Sequence, residues 1–258
     1  MTEQANEPTS YHSANGVATI TLDSPERRNA FSQSLLLSLM AGLRRAIADD
    51  AVRVIVLTNT GSTFSAGADL KEDRASLGAD ALTFPAIIHA IDACPKPVVA
   101  RVAGHAAGGG AALVVACDVA IAADTARIGI TEVRIGVPPN GVAALLAHRM
   151  TRRALYEAFL LGDMMPATRA AELGMVNLAV PEADLDATVA RFVDSLLRGG
   201  PKALAVTKGM LDAMMQLSPT QAEHLSEEAS RGAFERSEAR EGVAAFLGKR
   251  PATWVPGD

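Results

Sequence analysis

The stretch Gly104-His105-Ala106-Ala107-Gly108-Gly109-Gly110-Ala111-Ala112-Leu113 places three consecutive glycines at the start of a predicted apolar helix that runs to Cys117. Glycine leaves backbone N–H groups uncovered by a Cβ, and amides at a helix N-terminus lie at the positive end of the helix dipole. These amides can stabilise a phosphate or a developing oxyanion. The spacing matches neither a dinucleotide-binding motif nor a P-loop. Taken alone, such a run fits a tight turn with close helix packing better than a binding site.

A second loop of small residues changes that interpretation. The segment Phe64-Ser65-Ala66-Gly67-Ala68-Asp69-Leu70-Lys71 follows the strand-like residues 54–57, and the glycine run likewise follows the strand-like residues 98–102. Two loops that follow two buried strands can converge on one oxygen atom and offer it two amide donors. The sequence therefore predicts a site between these loops that stabilises negative charge.

Length and composition agree with an ordinary soluble enzyme and limit the alternatives. A chain of 258 residues, 49% of them hydrophobic, can form one large domain or one domain with an extension. No apolar run approaches the roughly 18 residues of a membrane span, and no secretory signal is recognised, so a cytoplasmic location is expected. A net charge of −5 and an aromatic content of 4% argue against nucleic-acid binding. Cys94 and Cys117 lack metal or redox spacing and are expected to be buried, reduced thiols.

Strand and helix signals alternate up to about residue 140, a pattern typical of α/β proteins. Strands are predicted at residues 17–22, 54–57, 98–102, 118–122 and 126–130, and helices at 32–48, before Cys94 and at 109–117. Beyond this point helices are predicted at 141–149, 151–161, 167–173, 185–198, 202–216, 219–236 and 239–247, with one strand at 175–180. We therefore predict a core of residues 1–200 and a helical C-terminal region of residues 201–258.

Several stretches in order along the chain resemble the enoyl-CoA hydratase/isomerase (crotonase) family. They are residues 24–30 (SPERRNA), 64–71, 96–110, 117–119, 132–138 and 245–250, and they cover the chain nearly end to end. The resemblance implies an α/β fold with a spiral of repeated ββα units, followed by C-terminal helices that build a trimer or a dimer of trimers. It also implies a coenzyme A thioester as substrate, with no metal or other cofactor.

The resemblance assigns catalytic roles. It implies that the amides of Ala68 and Gly109 bind the thioester oxygen and stabilise an enolate. Family hydratases hold a water between two glutamates, and position matching puts these at Ala112 and Glu132, so that only Glu132 is present. Two carboxylates share the work of adding water, whereas shifting a double bond needs one base. Isomerisation is therefore favoured over hydration. The alternative for Glu132 itself is a surface carboxylate that forms an ion pair with Arg134 and has no catalytic role.

Asn140 stands where many relatives have a glycine. Its amide can bind a water or a polar acyl group, or it can cap the following helix. If the Asn140 amide binds a water, enoyl-CoA hydratase activity remains an alternative function. The same family pattern also fits a protein that decarboxylates or hydrolyses an acyl-CoA, and a catalytically silent acyl-CoA-binding protein. His105, beside the glycine run, is expected to make a structural hydrogen bond rather than to act as a base.

Basic residues in this acidic chain are candidates for binding coenzyme A. The resemblance implies that one loop runs over the nucleotide and that the C-terminal residues approach from a neighbouring subunit. The predicted substrate-binding positions are Ala66, Arg27, Arg28, Asp69, Lys71, Gly108, Ala112, Asn140, Phe246 and Lys249. The apolar C-terminal positions fit either subunit packing or burial within one subunit, and they are Met210, Leu211, Met214, Met215 and Leu217.

Overall fold

The computed structural model describes residues 7–73, 76–78 and 80–256, except for the Leu145 side chain. The strands in these ranges are β1 (Thr9–Ala14), β2 (Val17–Leu22), β3 (Val54–Asn59), β4 (Thr63–Ser65), β5 (Val98–Val102), β6 (His105–Ala107), β7 (Val119–Ala123), β8 (Arg127–Gly129), β9 (Met165–Pro166) and β10 (Leu178–Val180). The α-helices are α1 (Gln33–Ala48), α2 (Phe84–Asp92), α3 (Gly109–Ala116), α4 (Asn140–Leu146), α5 (Arg152–Leu161), α6 (Ala167–Glu172), α7 (Leu185–Arg198), α8 (Pro201–Met214), α9 (Pro219–Ser230) and α10 (Ser237–Leu247).

The strands form two sheets. The larger has the order β1-β2-β3-β5-β7-β10, and the smaller has the order β4-β6-β8-β9. In the larger sheet β1 pairs antiparallel with β2, and every later pair is parallel. In the smaller sheet β9 pairs antiparallel with β8, and the other two pairs are parallel.

The chain advances by one strand in each sheet per repeat. Strands β3, β5 and β7 are neighbours in the larger sheet, and the strands that follow them, β4, β6 and β8, are neighbours in the smaller one. Helices α2, α3 and α4 complete these repeats. Each ββα unit therefore lies beside the preceding one, and the chain forms the spiral that the family resemblance implied. The predicted fold class is confirmed, while the division at residue 200 stays a prediction.

Strand β3 is buried along its length because helices cover both faces of the larger sheet. Ile55 and Leu57 pack in the main core with the apolar side of α1, and Val54 and Val56 pack with α7 on the opposite face. Alternate residues of one strand thus belong to two cores. This layering fixes the ends of β3 and β5, from which the loops of the candidate site emerge.

Helices α8 and α9 have no buried residue in the single chain. Leu211 in α8 and Met215, directly after it, are 55% and 63% exposed, so the expectation that they fill the core of one subunit is wrong. A polar contact holds α8 instead: Lys208 Nζ donates to Asp118 Oδ2 at 2.8 Å and to Ile91 O at 2.9 Å. The apolar side of α8 is therefore left uncovered.

Most predicted elements agree with the structure, and the differences have local causes. The helix predicted to residue 236 ends at Ser230, because Gly232 adopts a positive φ of +66° that interrupts it. The strand predicted at residues 175–180 is only Leu178–Val180. Strand β1 was not predicted because it is a largely exposed edge strand without an apolar run, and β4, β6 and β9 are only two or three residues long.

Cys94 and Cys117 are both buried and unpaired, as predicted. Burial raises the pKa of both thiols, which keeps them protonated and unreactive. Within the described residues, no helix combines the length and the apolar character needed to cross a bilayer.

Candidate active site

Two glycine-containing loops meet at the start of α3. A Cβ on Gly67, whose φ is +80°, would lie 2.9 Å from Gly109 N and 2.8 Å from Ala107 O. A Cβ on Gly110 would lie 2.9 Å from Ser65 Cβ, so α3 also packs directly on the end of β4. Only glycine permits this close approach at both positions. The loops that the sequence predicts to converge are therefore in contact.

The amide of Ala68 is left out of the hydrogen bonds that hold its loop. Phe31 and Ala68 form a parallel bridge in which Phe31 N donates to Gly67 O at 2.7 Å and Asp69 N donates to Phe31 O at 3.4 Å. In a parallel bridge the neighbours of the central residue make these bonds, so the Ala68 N–H is directed away from Phe31. It is available to a group that enters from the other side.

The amide of Gly109 is available for a different reason. Gly109 is the first residue of α3, and the first turn closes with the bond from Ala112 N to Gly108 O at 3.1 Å. The first N–H groups of an α-helix have no partner within the helix. Because Gly109 lies against the Gly67 loop, its amide and that of Ala68 come from two loops that are in direct contact.

Asn29 and Ser65 hold the first loop in place, and neither was predicted to have a role. Asn29 is fully buried; its Nδ2 donates to Thr63 O at 2.8 Å and its Oδ1 accepts from Ser24 N at 2.7 Å. Ser65 Oγ donates to Asn29 O at 2.7 Å and accepts from Gly67 N at 3.1 Å. Buried polar groups that are bonded in this way make a loop rigid. The only signal in the sequence was an asparagine, a residue that tolerates positive φ, in a charged loop.

Glu132 begins the 3₁₀-helix Glu132–Ile135, and its carboxylate lies over Gly108. A Cβ on Gly108, whose φ is +53°, would be 3.0 Å from Glu132 Oε1. Among the described residues, Glu132 Oε2 is buried without a hydrogen-bond partner. Burial raises the pKa of Glu132 above its ordinary value of 4.5, against a smaller opposing effect of nearby backbone N–H groups. Arg134 pairs with Asp163, so the alternative of a surface ion pair between Glu132 and Arg134 is wrong.

A cavity of about 510 Å³ is lined by Ala68, Gly109 and Glu132 together. This volume lies within the range of small-molecule sites. Most of its remaining lining is apolar, and it includes Phe31, Leu36, Leu82, Phe84, Val137 and Val142. The cavity can therefore receive a ligand that has a polar carbonyl group and an apolar tail. The two amides can stabilise charge on the carbonyl oxygen, and the carboxylate can exchange a proton with a neighbouring carbon.

A larger cavity, of about 900 Å³, lies under α8 at the C-terminal ends of α2 and α3. Two of its acidic side chains are paired with basic ones, since Arg149 pairs with Asp92 and Lys208 Nζ lies 2.8 Å from Asp118 Oδ2. Its lining includes none of the predicted catalytic residues. Convergent amides and a carboxylate with one unpaired, buried oxygen distinguish the smaller cavity, so the candidate active site lies there.

Ala112 and Asn140 differ in their relation to the cavity. Ala112 is 1% exposed within α3 and does not line the cavity. Asn140 lines the cavity and is exposed. The residue at the N-cap position of α4 is Pro139, with Asn140 as the first helical residue, so the expectation that Asn140 caps this helix is wrong. Asn140 therefore contributes to the cavity wall without capping the helix.

Comparison with known proteins shows the family of the chain. The family described as Enoyl-CoA hydratase/isomerase matches residues 12–256. The chain belongs to the enoyl-CoA hydratase/isomerase family. A Rhodobacter capsulatus protein named "Probable enoyl-CoA hydratase" is 36% identical over 249 residues, which cover 93% of this chain and 95% of that protein. The human "Enoyl-CoA hydratase domain-containing protein 3, mitochondrial" is 28% identical over 257 residues, covering 98% and 85% respectively.

Solved structures of this family have the same fold. The crystal structure of an enoyl-CoA hydratase from Mycobacterium smegmatis aligns with a TM-score of 0.88 at 29% identity, and the alignment covers 96% of this chain and 99% of that one. An enoyl-CoA hydratase from Bacillus anthracis also aligns with a TM-score of 0.88, at 28% identity, over 97% and 100%. The spiral of two sheets and the C-terminal helices are thus shared across nearly the whole length.

The loop residues of this family member divide into structural and exposed groups. Arg27 Nη2 donates to the buried Asp69 Oδ2, and Asp69 Oδ1 accepts from Lys71 N at 2.9 Å, so the Asp69 carboxylate organises the loop and does not line the cavity. Ala66 N donates to Arg28 O at 3.0 Å, which corrects the expectation that the Ala66 amide contacts substrate. The side chains of Arg28 and Lys71 are exposed.

The two predicted C-terminal contacts lie outside the cavity. Phe246, at the end of α10, is 84% exposed, and Lys249 is exposed with a φ of +51°. Neither residue lines the cavity within one chain. His105 Nδ1 accepts from Arg127 N at 3.0 Å, which confirms that this histidine has a structural role.

Proposed function

We propose that this member of the enoyl-CoA hydratase/isomerase family stabilises the enolate of an acyl-CoA thioester and shifts a double bond in an enoyl-CoA. The observation that carries the proposal is the Glu132 carboxylate, whose Oε2 has no hydrogen-bond partner among the described residues, in a cavity with two available amides, those of Ala68 and Gly109. A thioester oxygen between these amides gains charge as a proton leaves the neighbouring carbon. Preorganised donors of this kind stabilise the transition state without reorganisation.

Glu132 serves as the base of this reaction. It removes a proton from C2 of a 3-enoyl thioester, and the electrons of that C–H bond delocalise onto the thioester oxygen as a dienolate. The same carboxyl group returns the proton to C4, leaving a double bond between C2 and C3. The raised pKa of Glu132 supports this role, because a base poised closer to neutral pH both accepts and returns a proton readily.

The second candidate is enoyl-CoA hydratase activity. Two observations favour it: the relatives named above are called hydratases, and Asn140 lines the cavity. The amide of Asn140 holds the water that Glu132 deprotonates. We rank this candidate second, because Ala112 supplies no second carboxylate and Glu72, which also lines the cavity, already accepts a hydrogen bond from Gln33 N at 2.9 Å.

We expect the protein to convert 3-enoyl-CoA into 2-enoyl-CoA at least tenfold faster than it hydrates 2-enoyl-CoA, since an acid–base group missing from hydration costs ~10²–10⁴ in rate. Chromatography with mass detection separates the outcomes, because isomerisation leaves the mass unchanged and hydration adds one water. Faster hydration would favour the second candidate. Loss of carbon dioxide or of free coenzyme A would indicate decarboxylation or hydrolysis, and binding without turnover would indicate a silent acyl-CoA-binding protein.

Coenzyme A binds in this proposal through exposed basic groups at the mouth of the site. Arg28 lies in the segment after β2, and Lys71 lies in the loop after β4. Both side chains are exposed, so they can turn towards a phosphate. Arg27 is partly committed to Asp69. Phe246 and Lys249 reach the nucleotide from a neighbouring subunit.

The cytoplasmic location expected from the sequence stays a prediction.

The C-terminal helices provide the subunit contacts of a trimer or a dimer of trimers. The support is the set of exposed apolar side chains on these helices and the segment that joins α8 to α9, namely Val206, Leu211, Met215, Leu217, Val243 and Phe246. Large exposed apolar patches on a single chain mark association surfaces.

Light scattering at micromolar concentration is expected to give the mass of three chains or a multiple of three. The substitution Met215→Glu places a charge at this exposed apolar position directly after α8 and is expected to lower that mass. Ala187→Glu, on the exposed side of α7, whose apolar side is already buried on the sheet, is the matched control and is expected to leave the mass unchanged. A monomeric parent protein would refute the assembly.

A further inference from the structure

Gln33, the first residue of α1, joins three segments of the chain at the wall of the cavity. Its backbone N–H donates to both Glu72 oxygens, at 2.9 Å and 3.1 Å. Its side-chain amide faces one residue of the segment before α2, Leu82. In the amide orientation that matches donors with acceptors, Nε2 donates to Leu82 O at 3.2 Å and Oε1 accepts from Leu82 N at 2.8 Å. Gln33 thus ties the start of α1, the loop that continues from Ala68, and the Leu82 segment together.

These bonds determine the chemical character of the wall. Gln33 and Glu72 both line the cavity, but their polar atoms are used by each other and by the Leu82 backbone. Much of the remaining surface on this side is apolar. Phe31 and Phe84 contribute to it as a stacked pair with ring centroids 5.0 Å apart and an interplanar angle of 18°. Phe31 is the ring next to Gly109, since a Cβ there would lie 3.4 Å from its edge.

We propose that Gln33 is a positioning residue that sets the acyl-chain selectivity of the site by fixing the Leu82 wall. This inference rests on the proposed function, in that the acyl chain occupies the cavity of about 510 Å³. The ligand class is an apolar acyl group that ends against Leu82 and Phe84. Long straight chains are disfavoured, because they fit only when this wall moves.

The physical reason is the pairing of both Leu82 backbone groups with one side chain. Moving Leu82 away from the cavity breaks two hydrogen bonds at once and leaves a half-buried amide to find new partners, which makes displacement unfavourable. A wall that cannot yield discriminates against extra methylene groups, and such steric selectivity typically amounts to about 10–200-fold per group. When the side-chain bonds are removed, the wall yields and the selectivity falls.

The test compares Gln33→Met with the parent protein. Methionine keeps the length of the side chain and removes both hydrogen bonds to Leu82. The readout is the equilibrium affinity for saturated straight-chain acyl-CoA thioesters of short and long chain length, measured by calorimetry, so that no turnover is needed. We expect the parent to prefer the short chain and Gln33→Met to reduce that preference about tenfold, equivalent to about 1.4 kcal/mol. Leu37→Met, on the exposed side of α1, is the matched control and is expected to keep the parent preference.

A second variant keeps the inference falsifiable if Gln33→Met does not fold. Leu82→Ala trims the wall without removing the backbone bonds and is also expected to reduce the short-chain preference. An unchanged preference in folded Gln33→Met, or in Leu82→Ala where the former is unstable, would overturn the inference. A parent that selects short acyl-CoA but converts no enoyl-CoA contradicts the proposed function alone, and a parent that converts enoyl-CoA without chain-length preference contradicts this inference alone.

Discussion

Replacing Glu132 by glutamine is expected to lower turnover of enoyl-CoA by ~10²–10⁴, the usual contribution of a catalytic acid or base, while acyl-CoA affinity stays within a few-fold of the parent. Glutamine retains the size of the side chain and its position over Gly108, but it cannot accept a proton from carbon. The loss should therefore be in kcat. Steady-state kinetics and acyl-CoA titration measure the two effects separately.

The pH dependence of the parent enzyme provides a second test of Glu132 as the base. Because burial raises the pKa of Glu132 above 4.5, activity is expected to rise with pH through a limb that lies above that value. The folded state binds this proton more tightly than the unfolded state does. The contribution of the protonated Glu132 to the free energy of unfolding is therefore fully present below the pKa of this group in the unfolded state. It is lost as pH rises through the pKa of the folded state. Glu132→Gln should be more stable than the parent at neutral pH and equally stable in acid.

Glu182→Gln is the matched control for both measurements, because Glu182 is an exposed glutamate that does not line the cavity. It is expected to preserve turnover, affinity and the rising limb. If Glu132→Gln turned over enoyl-CoA within threefold of the parent, another group would be the base and the isomerase proposal would have to be withdrawn. Thermal unfolding at acid and neutral pH checks the stability part independently of any assay.

The sequence predicted the loops of the site better than it predicted how they are held. Small residues after buried strands indicated available amides near Ala68 and Gly109. This could be predicted because small side chains leave backbone N–H groups uncovered, whatever the rest of the fold is. The supporting contacts are long-range: Asn29 binds Thr63 O, and Ser65 binds Asn29 O. No local pattern encodes such partners, because they depend on which strands become neighbours. The same holds for Asp69, which looked like a ligand contact and instead binds Arg27.

The limits of prediction for the fold have a similar physical origin. Helix α7 was predicted with its observed bounds, residues 185–198, because its apolar positions recur at helical spacing and are buried on the sheet. Strands β4 and β6 have three residues each, too few for a periodic signal, and they exist because they pair with each other. Whether Leu211 and Met215 are buried depends on what surrounds α8, which the sequence of one chain does not specify.

The substitution Gly110→Ala is expected to have the opposite effect on stability from Gly209→Ala, although both glycines lie inside α-helices. Alanine gains up to about 1 kcal/mol over glycine in a helix interior, so propensity alone favours both changes. Gly209, in α8, has no atom within 4 Å of the position its Cβ would take, and Gly209→Ala is expected to stabilise the fold by about that amount.

At Gly110 the new Cβ would overlap the carbonyl oxygen of Ser65 and lie 2.9 Å from Ser65 Cβ. Backbone atoms of β4 cannot rotate away, so α3 must move, at a cost of ~1–3 kcal/mol or more for overpacking. That movement separates the Gly109 amide from the Ala68 loop, and an oxygen that loses one of two donors loses ~10²–10³ in rate. Chemical denaturation and kinetics should therefore show Gly110→Ala losing stability and turnover together, while Gly209→Ala gains stability and keeps turnover. Equal stability of the two variants would mean that α3 and β4 are not in this close contact, and the geometry on which the two-amide site depends would be refuted.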